Sequence, residues 1–583
     1  MSPTSVRGKN WISKEFSSED ISFFKTNYFL DEIVAKLLSI RKISREEVSF
    51  FLDASIKNIL PNPFILKDMD KAIDRTVAAI KNKEKIGIFG DYDVDGATST
   101  AILGQYFRSL KIYFDIHIPD RKNEGFGPNE KAFTKFIDNG VNLIFTVDCG
   151  TLSFAPISFA KSKSIDVIII DHHQSETKLP QAHSIVNPNR FDDRSELNYL
   201  CAAGVCFLFL VALNKRLRDE NWFKSNAINE PNLINILDLV SLGTVCDVVP
   251  LIGLNRAIVN QGLKVLKRKK NLGLKTLMEL NNIETSITSY HLGYVLGPRI
   301  NAGGRVGKSS HGANLLLNIN SQESFKLASE LNDYNKERQV LEADLLDKIL
   351  NTGYQNSSDP VIILYGENWH EGIIGIIAAR IKEKFNKPVI IISVIGDVGK
   401  GSARSIYGFD IGSVIIGAVQ DGLLVKGGGH KMAAGFTVNM KKIEEFKEFV
   451  FRKFKSININ LDDKQKYYFD AEIAPAAVNI NFFEKINILS PFGSGNVEPR
   501  FLIQNLKVVN SKIVAEKHIK SVLSGADSSV LKTICFNSVG TELSTYLLKK
   551  NPKNYNIVGK LSLNEWRGQR NVEFIIDDIS VIK

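Results

Sequence analysis

The chain has 583 residues, which is too many for one hydrophobic core because single domains usually hold roughly 100–200 residues, so we expect three or four domains. No apolar run reaches the ~18–20 residues of a membrane helix, so we expect no membrane partner. The N-terminus lacks the apolar region of a secretory signal, and the five cysteines form no CxxC pair. We therefore expect a cytoplasmic protein with reduced thiols. The net charge of +10 and the pI of about 9.0 suit a polyanionic partner such as nucleic acid, although a composition biased by AT-rich codons explains that charge equally well.

The first half of the chain predicts a helical lead-in followed by a parallel α/β sheet. Residues 1–70 are predicted to be helical, and Pro61 and Pro63 mark a turn near the end of this segment. Residues 71–320 then alternate short Ile- and Val-rich runs with helical patterns, which is typical of a buried parallel sheet. Three of these runs, each followed within two residues by an aspartate, lie at 86–89, 143–147 and 166–170. Because the carboxyl ends of the strands form the ligand crevice of an open α/β sheet, we expect these aspartates to meet there.

The second half of the chain predicts a long helix, a second α/β domain and a β domain. Apolar residues recur at helical spacing over residues 321–350, with charged residues between them, which predicts one connector helix. Residues 351–460 contain two apolar strand patterns on either side of a helical one. Residues 461–583 consist of short β-type runs separated by polar turns, which is typical of a small barrel or sandwich.

The segment GDYDVDG carries the strongest local signal for chemistry. Asp91, Asp93 and Asp95 alternate within five residues, and on an extended segment alternate side chains face the same way. We therefore expect the three carboxylates on one face, where their mutual repulsion is offset by cations. Carboxylates favour hard cations such as Mg²⁺ and Mn²⁺. A calcium loop of the EF-hand type begins in the same way, but it needs a Glu six residues after the Gly, and Ile102 stands at that position.

Further candidate ligands follow other apolar segments. Asp171, His172 and His173 are consecutive after the third strand pattern, and imidazole favours Mn²⁺ or Zn²⁺ over an all-oxygen Mg²⁺ site. Asp148 in TVDCG and Asp247 in GTVCDVVPL stand in apolar surroundings. A lone aspartate in such a place is normally a helix cap or a hydrogen-bonded core group, but here each fits as another metal ligand.

These motifs, in this order, resemble the DHH phosphoesterase superfamily, and the similarity to its single-stranded-DNA exonuclease branch covers about residues 86–500. The resemblance implies an α/β fold, in which a parallel-sheet DHH domain is joined by a long helix to a second α/β DHH-associated domain, with an OB-fold-like β domain at the C-terminus. It implies hydrolysis of single-stranded DNA with two divalent ions, Mn²⁺ or Mg²⁺, in the 5′-to-3′ direction. The products would be 5′-mononucleotides, and the role would lie in recombination and repair.

The resemblance also assigns roles to the candidate residues of the acidic motifs. The predicted metal ligands are Asp91, Asp93, Asp95, Asp148, His172 and Asp247. All of them except Asp91 are also predicted to be catalytic. Asp148 would bridge the two ions, whereas direct ligation by Asp91 is the least specific part of this assignment. His173 is predicted to be catalytic as well, and it would lie near the scissile phosphate rather than hold a metal.

Substrate contacts are predicted for a set of arginines and for two motifs in the second half of the chain. Arginine grips phosphate oxygens through two donors, and the glycines of KGGGH let backbone N–H groups approach an anion. The predicted substrate-binding residues are Arg121, Arg299, Arg305, Ser402, Arg404, Gly428, Gly429 and His430. By the resemblance, Arg121, Ser402 and Arg404 would hold a 5′-phosphate. The alternatives are surface ion pairs for the arginines and a flexible turn for the glycines.

Two other functions remain open at this point. A pyrophosphatase or a short-oligonucleotide phosphodiesterase of the same superfamily would share the acidic motifs, but such enzymes are usually shorter and lack the terminal β domain. A non-catalytic DNA-binding scaffold would have lost metal ligands, whereas all the acidic motifs stand here. The expected partner is single-stranded DNA, and by resemblance a single-strand-binding protein and a RecQ-type helicase join it. The protein is expected to act as a monomer.

Overall fold

The computed structural model describes residues 5–121, 124–284, 287–351, 359–457, 465–548, 554–566 and 569–582. Contacts divide the chain into two compact units, each described here by itself. The barrel unit comprises Met1–Asn62, Val248–Lys264 and Lys464–Lys583, and the sheet unit comprises Pro63–Asp247 and Val265–Asp463. Within the described ranges, no helix combines the length and apolarity that crossing a membrane requires.

The N-terminal residues belong to the barrel unit. Their elements are β1 (Asn10–Ser13), α1 (Ser18–Tyr28), α2 (Glu32–Ile40), α3 (Val48–Leu52) and α4 (Ile56–Ile59). β1 pairs in parallel with Lys466–Phe469, and Phe24 and Leu37 lie in one core with apolar residues of the C-terminal β domain. The expectation of a separate lead-in over 1–70 therefore differs from the structure, because short helices bury too little surface by themselves and these share the core of the barrel.

The sheet unit begins with a five-stranded parallel sheet. Its elements are a 3₁₀ turn (Pro63–Ile65), α5 (Met69–Lys81), β2 (Lys85–Gly90), α6 (Val94–Ser109), β3 (Phe114–His117), α7 (Glu130–Asp138), β4 (Val141–Val147), α8 (Phe154–Ser162), β5 (Asp166–Ile170), β6 (Ser184–Val186), α9 (Ala202–Asp219), α10 (Trp222–Ser225), a 3₁₀ turn (Leu233–Ile236) and α11 (Leu237–Cys246). The strand order is β3-β2-β4-β5-β6, and every pairing is parallel. The chain leaves β2 to one side for β3 and returns to the other side for β4. Ligand crevices form at such a switch point, outside the carboxyl ends of the strands.

A helical region connects this sheet to a second one. Its elements are α12 (Gly253–Leu266), α13 (Leu272–Leu280), a π-helical turn (His291–Leu296), α14 (Gly297–Val306), α15 (His311–Leu317) and α16 (Ser321–Asn351). The single long helix predicted over 321–350 is present as α16. The first part of α12 belongs to the barrel unit. The barrel unit therefore includes a segment that lies, in sequence, between the two segments of the sheet unit.

The second sheet is mixed. Its elements are β7 (Ile362–Glu367), α17 (Ile374–Phe385), β8 (Val389–Ile395), β9 (Val398–Arg404), α18 (Ile411–Gln420), β10 (Lys426–His430), β11 (Ala433–Asn439), a 3₁₀ turn (Met440–Lys442) and α19 (Ile443–Lys455). The strand order is β10-β11-β9-β8-β7, and only the pairing of β7 with β8 is parallel. One face packs against α18 and α19, and the other packs against α17 over β7 and β8.

The C-terminal β domain is a closed barrel. Its elements are β12 (Lys466–Phe469), β13 (Ala471–Glu472), a 3₁₀ turn (Pro475–Ala477), α20 (Ile480–Asn487), β14 (Phe501–Val514), β15 (His518–Ser524), β16 (Val530–Cys535), α21 (Glu542–Leu548), β17 (Tyr555–Trp566) and β18 (Gln569–Val581). β14 pairs with both β15 and β17, and β16 pairs in parallel with β18, which closes five strands into a ring. This connectivity is that of an OB-fold, so the predicted fold class is confirmed.

Candidate metal centre

The segment GDYDVDG forms the junction between β2 and α6. Asp91 follows β2 directly, and Asp93 is the N-cap of α6, where its Oδ1 accepts a hydrogen bond from the backbone N–H of Gly96 at 3.0 Å. A Cβ atom at Gly96 would lie 2.4 Å from the carbonyl oxygen of Asp91, so only glycine fits this close turn. The segment is therefore a strand-to-helix junction and not an extended strand.

Asp95 lies in the first turn of α6, and its carboxylate is held by a second helix. Its oxygens accept hydrogen bonds from the backbone N–H groups of Ala202 at 2.6 Å and Ala203 at 2.9 Å, at the N-terminus of α9, a place that favours anions. The expectation that Asp91, Asp93 and Asp95 share one face is wrong. Because the chain has already entered a helix, Asp95 joins a different group of ligands from the other two.

Asp148 follows β4 and has a left-handed backbone conformation with φ of +61°. Its backbone N–H donates to the carbonyl of Ile170 at 3.0 Å, which fixes the turn beside the end of β5. Aspartate tolerates this conformation better than most residues, and strained backbone of this kind is concentrated at functional sites. Asp148 is 1% exposed, so the turn places a carboxylate inside the protein at the switch point of the sheet.

His172 lies among three of the predicted aspartates. Its Nε2 atom is 3.1 Å from Asp148 Oδ1 and 3.8 Å from Asp95 Oδ2, and its Nδ1 atom is 3.6 Å from Asp247 Oδ2. Asp247 is the C-cap of α11. The structure thus brings carboxylates from three separate parts of the sequence around one imidazole.

Three overlapping sets of potential ligands result, each with its ligand atoms within 4.8 Å of one another. The sets are Asp91, Asp93 and Asp148; Asp95, His172 and Asp247; and Asp148, His172 and His173. Asp148 belongs to two sets, and His172 also belongs to two. All six predicted metal ligands are therefore members of one continuous cluster, which is large enough for more than one ion.

The cluster is buried and rich in like charges. Burial, together with the charge of Asp93, raises the pKa of Asp91 to about 8. Burial, together with the charges of Asp95 and Asp93, raises the pKa of Asp247 to about 8. Burial and the surrounding aspartates also raise the pKa of Asp148 far above its ordinary range. Without cations, these carboxylates cannot all be ionised at neutral pH at low cost in free energy.

Several acceptor atoms of the cluster lack hydrogen-bond donors. Among the described residues, no hydrogen-bond partner exists for Asp91 Oδ1, for either carboxylate oxygen of Asp148 or for His172 Nε2, and all four atoms are buried. Buried polar atoms are nearly always paired. Carboxylate oxygens and an imidazole nitrogen that converge without donors match the ligand chemistry of Mn²⁺ and Mg²⁺, so the residues present fit divalent cations.

Asp171 is a residue of the site to which the sequence analysis gave no role. Its Oδ1 accepts hydrogen bonds from His173 Nδ1 at 2.8 Å and from the backbone N–H of His172 at 2.8 Å, and its Oδ2 accepts from the N–H of Thr151 at 3.0 Å. Burial opposes both shifts, but this pairing lowers the pKa of Asp171 and raises the pKa of His173 to about 9. Asp171 therefore orients a histidine that carries a positive charge at neutral pH.

Two asparagines after β6 complete the support of the histidines. Asn187 Nδ2 donates to the carbonyl of His173 at 2.9 Å, and Asn189 Nδ2 donates to the carbonyl of His172 at 2.6 Å. They were missed because β6 is only three residues long. The sequence pattern that could have identified these asparagines is the one that identified the aspartates, namely polar residues directly after an apolar strand.

Three of the predicted substrate-binding arginines lie near the acidic junction. The guanidinium of Arg121 lies over the ring of Tyr92, 5.4 Å from its centroid. Arg305 Nη1 donates to the carbonyl of Gly372 at 3.0 Å, and burial, then the charge of Arg121, lowers the pKa of Arg305 to about 10. Arg404 adds to the same positive potential. Of the three, Arg121 also acts electrostatically on Asp91, so the positive charges extend from the acidic junction towards Arg404.

Ser402 and Arg404 share one face of the second sheet with two residues of the KGGGH motif. Directly paired residues of neighbouring strands point to the same face, as do residues two apart on one strand. The two rows, read across β10, β11 and β9, are Gly428–Gly435–Ser402 and His430–Ala433–Arg404. Because neighbouring strands lie roughly 4.8 Å apart, the backbones at His430 and Arg404 are roughly 10 Å apart, with only small side chains between them.

The remaining predicted substrate residues have other surroundings. A Cβ atom at Gly429 would lie 2.4 Å from the carbonyl oxygen of Ala433, so this glycine is needed for the pairing of β10 with β11. Arg299 donates to the carbonyl of Val295 at 2.7 Å and to Asn332 Oδ1 at 2.9 Å. It lies on α14, in the turn after the π-helical segment.

Models of known families match three parts of the chain. The N-terminal domain of the DHH family matches residues 85–244, the DHHA1 domain matches residues 358–456, and the RecJ OB domain matches residues 469–578. These matches coincide with the parallel sheet, the mixed sheet and the closed barrel.

Curated proteins and solved structures are similar over most of the chain. The single-stranded-DNA-specific exonuclease RecJ of Bacillus subtilis is 32% identical, over 98% of this chain and 71% of the relative. The enzyme of the same name from Escherichia coli is 35% identical, over 91% of this chain and 92% of the relative. The crystal structure of RecJ in complex with Mn²⁺ from Thermus thermophilus has a TM-score of 0.80 and 27% identity, over 98% of this chain and 79% of that one. The complex with Mg²⁺ has a TM-score of 0.75 and 26% identity, over 98% and 78%.

Proposed function

Because the chain belongs to the RecJ family of single-stranded-DNA-specific exonucleases, we propose that its cluster of aspartates and histidines binds the two divalent ions of a nuclease. The protein is a metal-dependent exodeoxyribonuclease of single-stranded DNA with a role in recombination and repair, and its ions are Mn²⁺ or Mg²⁺. The observation that carries the ligand assignment is Asp148, whose two oxygens are both buried without donors and whose carboxylate belongs to two of the three ligand sets.

In this proposal the ligands divide between two ion positions. Asp91 and Asp93 would hold one ion, and Asp95, His172 and Asp247 would hold the other. Asp148, which forms one set with Asp91 and Asp93 and another with His172, would be available to both. When bound, a pair of divalent ions supplies Lewis-acid activation of the attacking water and of the leaving oxygen in phosphoryl transfer. The cluster supplies five carboxylates, and their repulsion in the buried site makes cation binding favourable.

The protein's own groups position the scissile phosphate. His173, with its Nδ1 atom bonded to Asp171 and its pKa raised to about 9, carries a positive charge that stabilises the negative charge developing on the phosphate. Because water is the attacking group in this reaction, no covalent protein intermediate is needed. A protonated imidazole can also donate its Nε2 proton to a phosphate oxygen, which is the role proposed for His173 in place of metal ligation.

A terminal phosphate would be held beside Arg404. Arg404 Nη1 donates to Ser402 Oγ at 3.3 Å, and a Cβ atom at Gly375 would lie 3.0 Å from Ser402 Oγ and 3.1 Å from Arg404 Nη2. Gly375 lies in the first turn of α17, so the N-terminus of this 12-residue helix adds its positive end to the guanidinium. Together with Arg121, which is the second guanidinium assigned to this phosphate, the pocket would favour attack from the 5′ end and release of 5′-mononucleotides.

The test of this function is digestion of end-labelled DNA by the purified full chain. Single strands with a 5′-phosphate should be degraded from that end to mononucleotides in Mn²⁺ or Mg²⁺, whereas duplexes should persist and chelation should stop the reaction. Pyrophosphate and dinucleotides, tested in parallel, identify the smaller enzymes of the superfamily. Strand binding without cleavage in either metal would instead support the scaffold function.

The finer features of the cellular role are proposals as well. We propose that the enzyme acts as a monomer, because a single chain is sufficient to form the ligand cluster, and that it acts in the cytoplasm, where its five free cysteines stay reduced. A single-strand-binding protein and a RecQ-type helicase are the proposed partners, since the helicase produces unpaired strands and the binding protein coats the strands that such an enzyme consumes. Co-sedimentation of the full chain with each partner on a single strand tests this.

A further inference from the structure

Two exposed tyrosines stack on each other in the helical region before α14. The rings of Tyr290 and Tyr294 have centroids 5.1 Å apart and an interplanar angle of 23°. Their exposed fractions are 59% and 73%. His291 lies edge-on to Tyr290, with the centroids 5.8 Å apart. Two large aromatic rings with most of their surface in water form an apolar platform that packing within the chain does not explain.

This tyrosine platform, Tyr290 and Tyr294, is fixed to the helix that ends at a metal-ligand candidate. The segment His291–Leu296 is π-helical, and such turns are frequent at functional sites. The thiol of Cys246 contacts the carbonyl oxygen of Leu292 at 3.4 Å. Because Asp247 is the next residue, covalent geometry keeps the α-carbons of both tyrosines within roughly 20 Å of that of Asp247.

Glycines make this attachment close. A Cβ atom at Gly297 would lie 2.4 Å from Cys246 Sγ, and one at Gly293 would lie 3.3 Å from Val245 Cγ1. The π-helical turn thus lies directly on the end of α11. The position of the platform relative to Asp247 is therefore set by close contacts between the backbone of the π-helical region and the short side chains of Cys246 and Val245.

A cation follows the platform along the same helical region. Arg299 follows Tyr294 by five residues, and its guanidinium is held by the carbonyl of Val295 and by Asn332. Aromatic faces next to a positioned cation are the pair of features that bind unpaired strands, because bases stack on the rings while the backbone phosphates meet the charge.

We propose that Tyr290 and Tyr294 stack against unpaired bases of the substrate strand near the metal centre. This inference rests on the proposed function, and it extends that function by assigning a residue basis for the recognition of single strands. Every base presents an aromatic face, so the contact tolerates all sequences. A base within a duplex is already stacked on both sides, so the platform discriminates against paired DNA.

The test compares the variant Tyr290→Ala/Tyr294→Ala with the wild-type full chain on 5′-phosphorylated single strands. Loss of base stacking should raise KM about tenfold or more while kcat changes little. The conservative variant Tyr290→Phe/Tyr294→Phe should keep the wild-type KM, because stacking uses the ring and not the hydroxyl. Tyr113→Ala is the matched control, since Tyr113 is 81% exposed but precedes β3, at the opposite end of the strands from the ligands.

Two further substrates separate stacking from a structural role. On a strand in which a run of abasic sites replaces the bases, wild type and the alanine variant should have equal KM values. Thymidine 5′-p-nitrophenyl phosphate is too short to reach from the metal centre to the tyrosine platform, so wild type and the alanine variant should hydrolyse it at equal rates. A strand labelled with 2-aminopurine should show a position whose fluorescence is quenched by the wild type and not by the alanine variant.

The outcomes distinguish this inference from the proposed function. If the wild type does not degrade single strands in Mn²⁺ or Mg²⁺, the proposed function fails, and this inference fails with it. If the wild type is active but the alanine variant keeps its KM on normal strands, the inference alone is overturned. An equal loss on normal and abasic strands overturns it as well, because the tyrosines would then support the fold or bind a protein partner.

Discussion

Asp171 Oδ1 and His173 Nδ1 are joined by a hydrogen bond of 2.8 Å, formed directly after β5. The same carboxylate accepts two further bonds from the backbone of the turn that carries His172. Unlike Asp148, whose two oxygens have no donor among the described residues, Asp171 has both carboxylate oxygens engaged by donors. Its role is to orient the His173 imidazole and to stabilise the positive charge of that ring, and not to bind a metal ion.

The first prediction concerns the substitution Asp171→Asn. Asparagine keeps the size of the side chain but removes the charge that stabilises the His173 imidazolium, so single-strand hydrolysis should fall about 10–100-fold, the usual effect of losing such a support. The measurement is steady-state cleavage of a 5′-phosphorylated strand with a titration of Mn²⁺. Asp166→Asn is the matched control, because Asp166 starts the same strand and lies at its other end. Equal activities of the two variants would contradict the role given to Asp171.

The sequence indicated most of this site because its ligands follow recognisable strands. Asp148 and His172 stand at the ends of runs that read clearly as buried parallel strands, and the switch-point rule brings those ends together. The rule does not say which acidic groups remain free for a metal. That distinction between Asp148 and Asp171 depends on hydrogen bonds of 2.8–3.0 Å, which only folded geometry decides.

The second prediction concerns Asp148→Asn. Cleavage should fall by about 10³-fold or more, because removal of the shared carboxylate costs several kcal/mol of transition-state stabilisation. Asparagine also tolerates the left-handed backbone at this position. Strand binding, measured by fluorescence anisotropy in Mn²⁺, should remain close to wild type. The exposed Asp138 on α7 provides the control Asp138→Asn. Full activity of Asp148→Asn would refute the metal centre.

The third prediction concerns the stability of the metal-free protein at different pH values. Asp91 and Asp247 have a pKa of about 8 in the folded chain and of about 4 when unfolded. Between these values the unfolded chain releases protons that the folded chain retains, so the free energy of unfolding falls as the pH rises. His173, whose pKa is raised to about 9, loses its stabilising charge in the upper part of the same range.

The melting temperature in EDTA should therefore decrease from pH 5 to pH 8.5, and Mn²⁺ should restore it, most strongly at the high end of this range. Differential scanning calorimetry with and without metal measures both effects. Asp148→Asn should melt higher than wild type in EDTA, since it removes a buried carboxyl group whose ionisation is unfavourable in the folded chain and favourable in the unfolded one. A melting temperature in EDTA that rises with pH would contradict the buried, mutually repelling carboxylates.

The fourth prediction concerns the choice of strand end. Arg404→Ala removes a guanidinium next to Ser402 and the N-terminus of α17, so the preference for 5′-phosphorylated over 5′-hydroxyl strands should weaken about tenfold or more, the worth of one or two charge-assisted hydrogen bonds. Competition between the two labelled strands gives the ratio directly. Arg380→Ala, on the same α17 but paired with Glu342, is the matched control. If both strands are cut equally by wild type and by Arg404→Ala, the pocket has been misassigned.

The arrangement of the N-terminal region was beyond sequence reasoning for a different reason. Phe24 on α1 and Leu37 on α2 are fully buried, so each helix has a buried face, but a helical pattern in the sequence does not identify the partner of that face. The partner lies more than 400 residues later, in the barrel. A contact of such sequence separation leaves no local pattern, and neither does the insertion of Val248–Lys264 into the same unit.

The last prediction tests how this unit is held together. Arg256 is 2% exposed, and its guanidinium donates to the carbonyls of Phe51 at 2.9 Å, Leu489 at 3.0 Å and Ser490 at 2.8 Å. It thereby joins all three segments of the barrel unit. Arg256→Met keeps much of the apolar length but leaves these carbonyls without donors, which should cost about 3 kcal/mol or more and lower the melting temperature of this unit by about 5–10 °C. Lys264→Ala, an exposed change on the same helix α12, should leave the melting temperature unaltered.

The variant Arg256→Met also tests whether the two units are independent in activity. Because every proposed metal ligand belongs to the sheet unit, Arg256→Met should still hydrolyse thymidine 5′-p-nitrophenyl phosphate at 25 °C. A parallel loss of that activity would show that the two units depend on each other for stability.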